Sequence, residues 1–536
     1  MAPLSVFLAI SPVLVIFLLL LVRRTPADTA GVIGWGVTVL VAWLWFRTDP
    51  SVIARASVAG IIASFPISLM VGASIFQMTF MQEVGAIRRI VLAMKSVAPT
   101  DRISQILMVN VGFGTLITAL GATPVSILPP MMLAMGYSSY VAIALPAVGY
   151  DSLCTYALLG IPAVVYTDVL APIAAKSGIE LTQQQTGLLF ARFIPLVTMG
   201  IALAMFWIVG RGRMLLQGLP LAMLVGLVAG LLCWAMALAD LVPLTGVAAG
   251  LSIIAVLALV LALRGRPVFA EPELTAEERA SKAGMGLVRA ASPWLLLLVF
   301  AALVNLKSLP LYHLFFERLP LAVPVMPGRP LPTRALWQAY TWVLVATLAA
   351  APFFRPALGQ WRAVLRRTGA RAPRPMLAAA IFFAIAYVID HSGKIVDVGA
   401  AAPAWVLPDA DLNMIHVVAG AAAGLFGAFY GLVAPYLGLL AGFISGSETS
   451  AIAMLSRFHM ETAAALGRPA RIGLLLAAAS AVGGGLASVI SPAKLQNAAA
   501  IIDCIGEEGA VLRTTTVISL LLTVLTALLT LFLASC

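Results

Sequence analysis

The most informative stretch of this chain is Gly446-Ser447-Glu448-Thr449-Ser450, because it places a carboxylate and three hydroxyls between the apolar runs 437–444 and 451–455. The whole chain is hydrocarbon-like, with 62% hydrophobic and 10% charged residues and a mean hydropathy of +1.04. An acid and a helix-breaking glycine at membrane depth are costly, so they usually occur where irregular backbone lines a cavity. The pattern therefore indicates a solute site in a broken helix, which is typical of secondary transporters.

Uncharged windows of about 20 residues recur along the chain, and each can cross a hydrocarbon core of roughly 30 Å. Clear windows are 4–22, 29–46, 193–210, 219–239, 244–263, 294–306, 337–354, 472–490 and 514–533. Together with the interrupted segments, they predict an all-α polytopic membrane protein with about 12 to 14 transmembrane helices, some broken or re-entrant. The first window lacks a basic n-region and a cleavage site, which favours a retained helix over a signal peptide.

The net charge of +11 is explained by excess Lys and Arg in cytoplasmic loops, so no nucleic-acid partner is expected. If each span crosses once, the basic clusters lie inside and the N-terminus outside. These clusters are Arg23-Arg24, 88–102, Arg211-Arg213, Arg264-Arg266 and 355–374. The four cysteines show neither metal-ligand spacing nor a disulfide framework, and no cofactor or metal is expected.

The chain is organised as one transporter domain over residues 1–536, with a mixed-charge cytoplasmic loop at 264–289. In the first half, an interrupted apolar segment at 112–124 is followed by breaks at 149–151 and 160–162. In the second half, an interrupted apolar segment at 438–450 is followed by breaks at 483–485 and 490–492. Paired interruptions at matching places favour an inverted repeat of about 50–260 and 337–536. Chance is the alternative, because Gly and Pro are common in membrane helices.

The polar tips of the interrupted segments are the predicted substrate site. If a half-helix begins at Thr449, its free N–H groups and dipole suit a carboxylate. The residues expected to bind substrate are Gly121, Thr123, Gly446, Ser447, Thr449, Ser450 and Lys494. Two alternatives stay open: the 446–450 turn is a polar surface loop, and Lys494 is a juxtamembrane positive charge.

Three places carry acids suited to proton coupling, because an intramembrane acid is a functional hypothesis by default. Glu448 follows the second tip, and Asp151 lies in the first half, where it could instead be the N-cap of an interfacial helix. Asp390 and His391 close an apolar run, and imidazole suits proton transfer. The alternative is that Asp390 and His391 cap the helix at the membrane interface, beside Lys394, whose side chain extends its ammonium towards water.

At these same motifs the chain resembles the L-lactate permease family, which are bacterial proton-coupled carriers of lactate and glycolate. The similar segments are Pro124-Val125-Ser126-Ile127 with Gly160-Ile161-Pro162, Ala386-Tyr387-Val388 with Ser392-Gly393, Gly446-Ser447-Glu448-Thr449-Ser450, Gly483-Gly484 with Ile490-Ser491-Pro492, and Gly506-Glu507-Glu508 with Arg513. The resemblance spans most of the chain from about Ile103 onward.

The chain departs from the family pattern at several polar positions. The first tip of the family carries an acid, whereas the corresponding residues 116–122 of this chain carry none. Where the family has Asn-Thr-Ala-Pro, this chain has Tyr150-Asp151-Ser152-Leu153. Ala451-Ile452 replaces Ser-Asn, and Lys494 stands near the family's Gln. The family's acid is absent at Leu116 and an acid is present at Asp151, which is the pattern expected if the proton site has moved to Asp151.

The resemblance and the motifs together predict a bacterial inner-membrane secondary carrier of a small monocarboxylate, L-lactate or a related 2-hydroxy acid such as glycolate. Its expected partners are the organic acid, a proton and the bilayer. The alternatives are a carrier of another organic anion, sodium coupling, and an anion channel with a continuous polar ring. No nucleotide loop, zinc helix or Ser/His/Asp order supports an enzyme.

Overall fold

The computed structural model describes residues 3–23, 25–98, 100–270, 274, 276–327, 329–397, 404–504 and 506–535. Within these residues the helices are α1 (Pro3–Leu21), α2 (Ala27–Leu44), α3 (Pro50–Ala63), α4 (Phe65–Glu83), α5 (Ala86–Met94), α6 (Arg102–Ile106), α7 (Gly114–Ala119), α8 (Leu128–Ala134), α9 (Ser139–Gly149), α10 (Ala157–Ala175), α11 (Gln183–Ala191), α12 (Ile194–Leu238), α13 (Thr245–Leu263), α14 (Ala276–Gly284), α15 (Leu287–Asn305), α16 (Pro310–Tyr312), α17 (Ala339–Phe354), α18 (Leu358–Arg371), α19 (Pro373–Asp390), α20 (Met414–Phe426), α21 (Tyr430–Ser445), α22 (Glu448–Ala465), α23 (Ala470–Leu486), α24 (Pro492–Ile501) and α25 (Glu508–Ser535).

The described strands form two small antiparallel hairpins, β1 (Ala322–Met326) with β2 (Arg329–Pro332) and β3 (Ile395–Asp397) with β4 (Ala404–Val406). Their registers pair Val323 with Leu331 and Val396 with Trp405. Both hairpins belong to connections between helices, so they leave the all-α character of the fold unchanged. The predicted fold class is confirmed.

In the described part of the chain, 11 helical segments are long and apolar enough to cross a membrane, judged by length and composition. One of them, α12, has 45 residues and a non-helical Arg211 (φ 52°, ψ −150°), so it consists of two helical parts. Three further apolar helices, α3, α9 and α17, are shorter than 18 residues. The protein is therefore a polytopic helical membrane protein.

The interrupted segments are broken helices. The first tip turns at Gly121 (φ 91°), and the second at Gly446 (φ 67°). In the first half, the 3-10 stretch Tyr150–Tyr156 leads into left-handed residues Leu158 to Gly160 at the start of α10. In the second half, the 3-10 stretch Ala487–Ile490 separates α23 from α24. Each half therefore contains one tip and one broken crossing.

Small residues bring the second tip and the second broken helix together. A Cβ added at Gly438 of α21 would overlap the Ser480 carbonyl of α23, and one added at Gly483 would overlap the Pro435 carbonyl. Glycine at these positions lets the two helix backbones touch, as small residues do in membrane helix packing. This contact fixes the position of the tip at 446–450 along the axis of α23.

The segment 264–289 packs on the amphipathic helix α5. Lys95 forms an ion pair with Glu278, and Val97 makes an isolated β-bridge with Phe269. On the opposite connection, Lys307 pairs with Asp240. These contacts thus fasten each charged loop to another part of the chain, the end of α5 in one case and the connection after α12 in the other.

Candidate functional site

The second tip ends one helix and begins another within the apolar core. Gly446 takes the left-handed turn, and the Ser447 hydroxyl then caps α22 by accepting the Ser450 N–H at 3.3 Å. Glu448 and Thr449 are 3% and 2% exposed. The Ser450 hydroxyl oxygen is buried and has no hydrogen-bond partner among the described residues. The sequence therefore places an acid and an unpaired hydroxyl at the start of a buried helix.

The Glu448 carboxylate is held between the two halves of the protein. Its Oε1 accepts a hydrogen bond of 2.8 Å from the Thr155 hydroxyl, in the broken segment of the first half. Its Oε2 is buried without a partner in the described part of the chain. A Cβ at Gly485 would lie 2.8 Å from Oε2, so only glycine leaves room for this carboxylate. The acid is thus fixed by the Thr155 hydroxyl, by the neighbouring Cys154 thiol and by close packing.

A cation within electrostatic reach of this acid is Lys494. The Lys494 ammonium donates to the Ser488 hydroxyl at 2.8 Å and lies 4.0 Å from the centre of the Tyr150 ring. It is near enough to interact electrostatically with Glu448. Because Tyr150 belongs to the first half and Lys494 to the second, the two broken crossings share one charged site.

The first tip contacts the same broken crossing of the second half. The hydroxyls of Thr123 and Ser126 lie 2.8 Å apart, and the Asn497 amide donates to the Ser126 hydroxyl at 2.8 Å. Asn497 follows Lys494 by three positions on α24, so the two side chains are neighbours on the helix surface. Thr123 and Asn497 are exposed, which leaves them accessible to a solute.

The two tips therefore make reciprocal contacts. The tip of the second half, through Glu448, holds the broken segment of the first half at Thr155. The tip of the first half, through Ser126, holds the broken segment of the second half at Asn497. This exchange brings together residues from four separate stretches of the chain, and it joins Thr123, Glu448 and Lys494 in one region.

Gly121 lies at the other edge of the first tip. A Cβ there would meet the Ser74 hydroxyl of α4 at 2.8 Å and the Met70 side chain at 3.1 Å. Its positive φ and this close approach both exclude a side chain. Gly446, in contrast, has no heavy atom within 4 Å of its Cβ position, so open space adjoins the second tip.

Asp390 and His391 do not join this region. Asp390 forms an ion pair with Arg457 of α22, and His391 Nδ1 lies 2.9 Å from the Tyr387 carbonyl. Arg457 follows Glu448 by nine positions on α22, about 13 Å at 1.5 Å per residue. The side chain of Asp151 lies outside the described residues.

Sequence reasoning missed Thr155, Ser126, Asn497, Tyr150 and Gly485. Only Asn497 carried a usable signal, since it is polar and three positions from Lys494. The others are common residue types whose partners are remote in sequence. Among the described residues, no cluster of three or more His, Cys, Asp or Glu could hold a metal ion.

Broken helices from two halves, meeting at a buried carboxylate and a cation within a bundle of apolar spans, define a polytopic membrane transport protein. The chain belongs to the L-lactate permease family, whose sequence model matches residues 5–326 and 331–536. Members of this family are permeases, and the chain is a multi-pass protein of the bacterial plasma membrane.

Three relatives are similar over most of their length. An L-lactate permease of Streptococcus iniae is 23% identical over 85% of this chain and 90% of that protein. An L-lactate permease of Bacillus subtilis is 23% identical over 98% of this chain and 95% of that protein. The glycolate permease GlcA of Escherichia coli is 22% identical over 96% of this chain and 92% of that protein.

Proposed function

We propose that this protein carries a small 2-hydroxy monocarboxylate, L-lactate or glycolate, across the bacterial inner membrane together with one proton. One observation carries the proposal: Glu448 is a buried acid at a broken-helix tip, bonded to Thr155 and within the electrostatic reach of the Lys494 ammonium. The names of the similar L-lactate and glycolate permeases support the substrate class.

The pair of Glu448 and Lys494 gives a physical reason for coupling. In the empty site, ionised Glu448 balances the charge of Lys494. When the substrate arrives and Glu448 takes a proton, the substrate carboxylate becomes the counter-ion of Lys494. Both states are neutral, whereas substrate alone or proton alone leaves a net charge that is costly to move through a closed, dry site. Solute and proton are therefore expected to cross together.

The tips supply the remaining contacts in this proposal. Gly446, Ser447, Thr449 and Ser450 lie at the N-terminus of α22, an 18-residue helix. Its first N–H groups and dipole favour a carboxylate. We assign to the site the exposed hydroxyl of Thr123, which lies 2.8 Å from the Ser126 hydroxyl in the first tip, where Gly121 forms the turn.

Glu448 is the primary proton carrier in this scheme. Asp151 lies in the broken segment that also contains Thr155, which suits a role in passing the proton. Asp390 and His391 are candidates for proton exchange beside Arg457, in the middle of α22. The Arg457 pairing of Asp390 favours a structural role at that place.

We further propose that the single domain of residues 1–536 consists of two inverted repeats, about 50–260 and 337–536, joined through the cytoplasmic loop 264–289. The reciprocal contacts of the two tips, Glu448 with Thr155 and Ser126 with Asn497, support this arrangement. In such a repeat, rocking of one half against the other exposes the shared site to alternate sides of the membrane.

Counterflow in proteoliposomes tests the proposed function. Vesicles loaded with unlabelled L-lactate should take up labelled L-lactate transiently above its equilibrium level, because a carrier exchanges solute. A channel would show no exchange peak, and an enzyme would form a product. Replacing sodium with choline should leave the uptake unchanged. Uptake that requires sodium, or no uptake of either 2-hydroxy acid, would contradict the proposal.

A further inference from the structure

A directed hydrogen-bond network joins the first tip to α24. Asn497 Nδ2 donates to the Ser126 hydroxyl oxygen, so the Ser126 hydrogen is available for Thr123, whose Oγ1 lies 2.8 Å away. The Asn497 amide is thereby oriented, with Nδ2 towards the tip and Oδ1 away from it. An amide in this orientation presents its oxygen as an acceptor.

The acceptor stands beside the substrate cation. Lys494 and Asn497 are three positions apart on α24, which places their Cβ atoms about 5–6 Å from each other. A carboxylate and the hydroxyl on the adjacent carbon are close enough together to contact both side chains at once. The two side chains differ in chemistry, since an ammonium only donates and a free amide oxygen only accepts.

We propose that Asn497 recognises the 2-hydroxyl group of the substrate while Lys494 binds its carboxylate. This inference rests on the proposed function and adds its basis for selectivity. The hydroxyl donates to Asn497 Oδ1, and Ser126 acts as a positioning residue that holds the amide in this orientation. A monocarboxylate without the hydroxyl loses that bond. A 2-oxo acid places its keto oxygen, which is an acceptor, against Asn497 Oδ1, which is also an acceptor, so no hydrogen bond forms.

The test compares L-lactate with propionate, which has the same charge and lacks the hydroxyl. Each is used to compete with labelled L-lactate for uptake into proteoliposomes. The parent protein should prefer L-lactate, and Asn497→Leu should reduce the preference by about tenfold, which is the size expected for one hydrogen bond. Most of that change should be a weaker affinity for L-lactate, with the propionate affinity nearly constant.

Gln496→Leu is the matched control. Gln496 is an exposed amide on the same helix, and it projects about 100° away from Asn497 around the axis. Its loss should leave the preference unchanged. Ser126→Ala should lower the preference partly, and Ser126→Thr, which retains the hydroxyl, should restore it. If Asn497→Leu fails to reach the membrane, the comparison of Ser126→Ala with Ser126→Thr tests the inference instead.

Three results would overturn the inference. The parent protein could show no preference between L-lactate and propionate. Asn497→Leu could weaken both acids equally, which would mean a structural role. The preference could survive both Asn497→Leu and Ser126→Ala. Each of these differs from failure of the proposed function, in which the parent protein takes up no 2-hydroxy acid.

Discussion

Thr155 and Glu448 are 293 positions apart in sequence and share a hydrogen bond of 2.8 Å. The bond joins the broken segment of one half to the tip of the other. Since Glu448 is 3% exposed, almost all of its environment is supplied by the protein. Any change in the protonation state of Glu448 therefore alters its hydrogen bond to Thr155, which joins the two halves.

Glu448→Gln should abolish accumulation of substrate against a gradient, because the amide retains the shape of the side chain and cannot exchange the coupled proton. Counterflow at equal pH should persist, since exchange needs no net proton movement. Glu461→Gln, on the same helix, is the control and should accumulate substrate normally. Accumulation by Glu448→Gln equal to that of the parent would refute the role of Glu448.

Gly485→Ala should impair uptake strongly without altering any titrating group. Its Cβ would lie 2.8 Å from Glu448 Oε2 and 3.4 Å from the Cys154 Cβ, so the carboxylate must move. Overpacking of this kind costs about 1–3 kcal/mol. Gly424→Ala has open space around the Cβ and should behave as the parent does. Initial uptake rates, corrected for the amount of protein in the membrane, measure the difference.

Lys494→Met should weaken the apparent affinity for substrate, because it removes the proposed counter-ion of the carboxylate. A bond to a charged group contributes about 1.5–3 kcal/mol, roughly ten- to a hundredfold in affinity. Lys176→Met, at an exposed position after α10, controls for the lost charge. The apparent affinity from uptake against substrate concentration is the readout, and an unchanged value would place Lys494 outside the site.

Uptake should respond to an imposed pH gradient, alkaline inside, and hardly to a valinomycin potassium potential at fixed pH. One proton crossing with one monoanion transfers no net charge, so the potential, worth about 2.3 kcal/mol per charge per 100 mV, drops out. One pH unit supplies about 1.4 kcal/mol, or about tenfold accumulation. Uptake that follows the potential and ignores the pH gradient would rule out electroneutral symport.

Asp390→Asn should lower thermal stability and leave proton coupling intact. The substitution removes the nearer of two acidic partners from the partly buried Arg457 and leaves Glu461 at 3.8 Å, which is destabilising. Removing both charges with Asp390→Asn and Arg457→Gln should recover part of the stability. Loss of coupled uptake in a stable Asp390→Asn variant would instead assign Asp390 to the proton pathway.

The positions of the two tips and of most breaks were predictable from local sequence, whereas the break expected at 483–485 is wrong because these glycines lie inside α23. Gly121 and Gly446 adopt positive φ, as the glycines in the interrupted segments suggested. The same reasoning named Glu448 and Lys494, because a charge within an apolar run is conspicuous. Thr155 and Ser126 were not predictable, since a hydroxyl in a membrane helix usually bonds its own backbone and gives no sign of a distant partner.

Sequence alone determined that the chain is an all-α membrane protein with two interrupted segments, because hydrocarbon solvent demands apolar helices and makes each acid and each break stand out. Only the tertiary structure decided which polar groups meet. It joined Glu448 to Thr155 and Ser126 to Asn497, and it placed Asp390 beside Arg457 instead. Pairing depends on how helices far apart in sequence pack, and the glycines at Gly438 and Gly483 that set this packing do not reveal in the local sequence which backbone each one contacts.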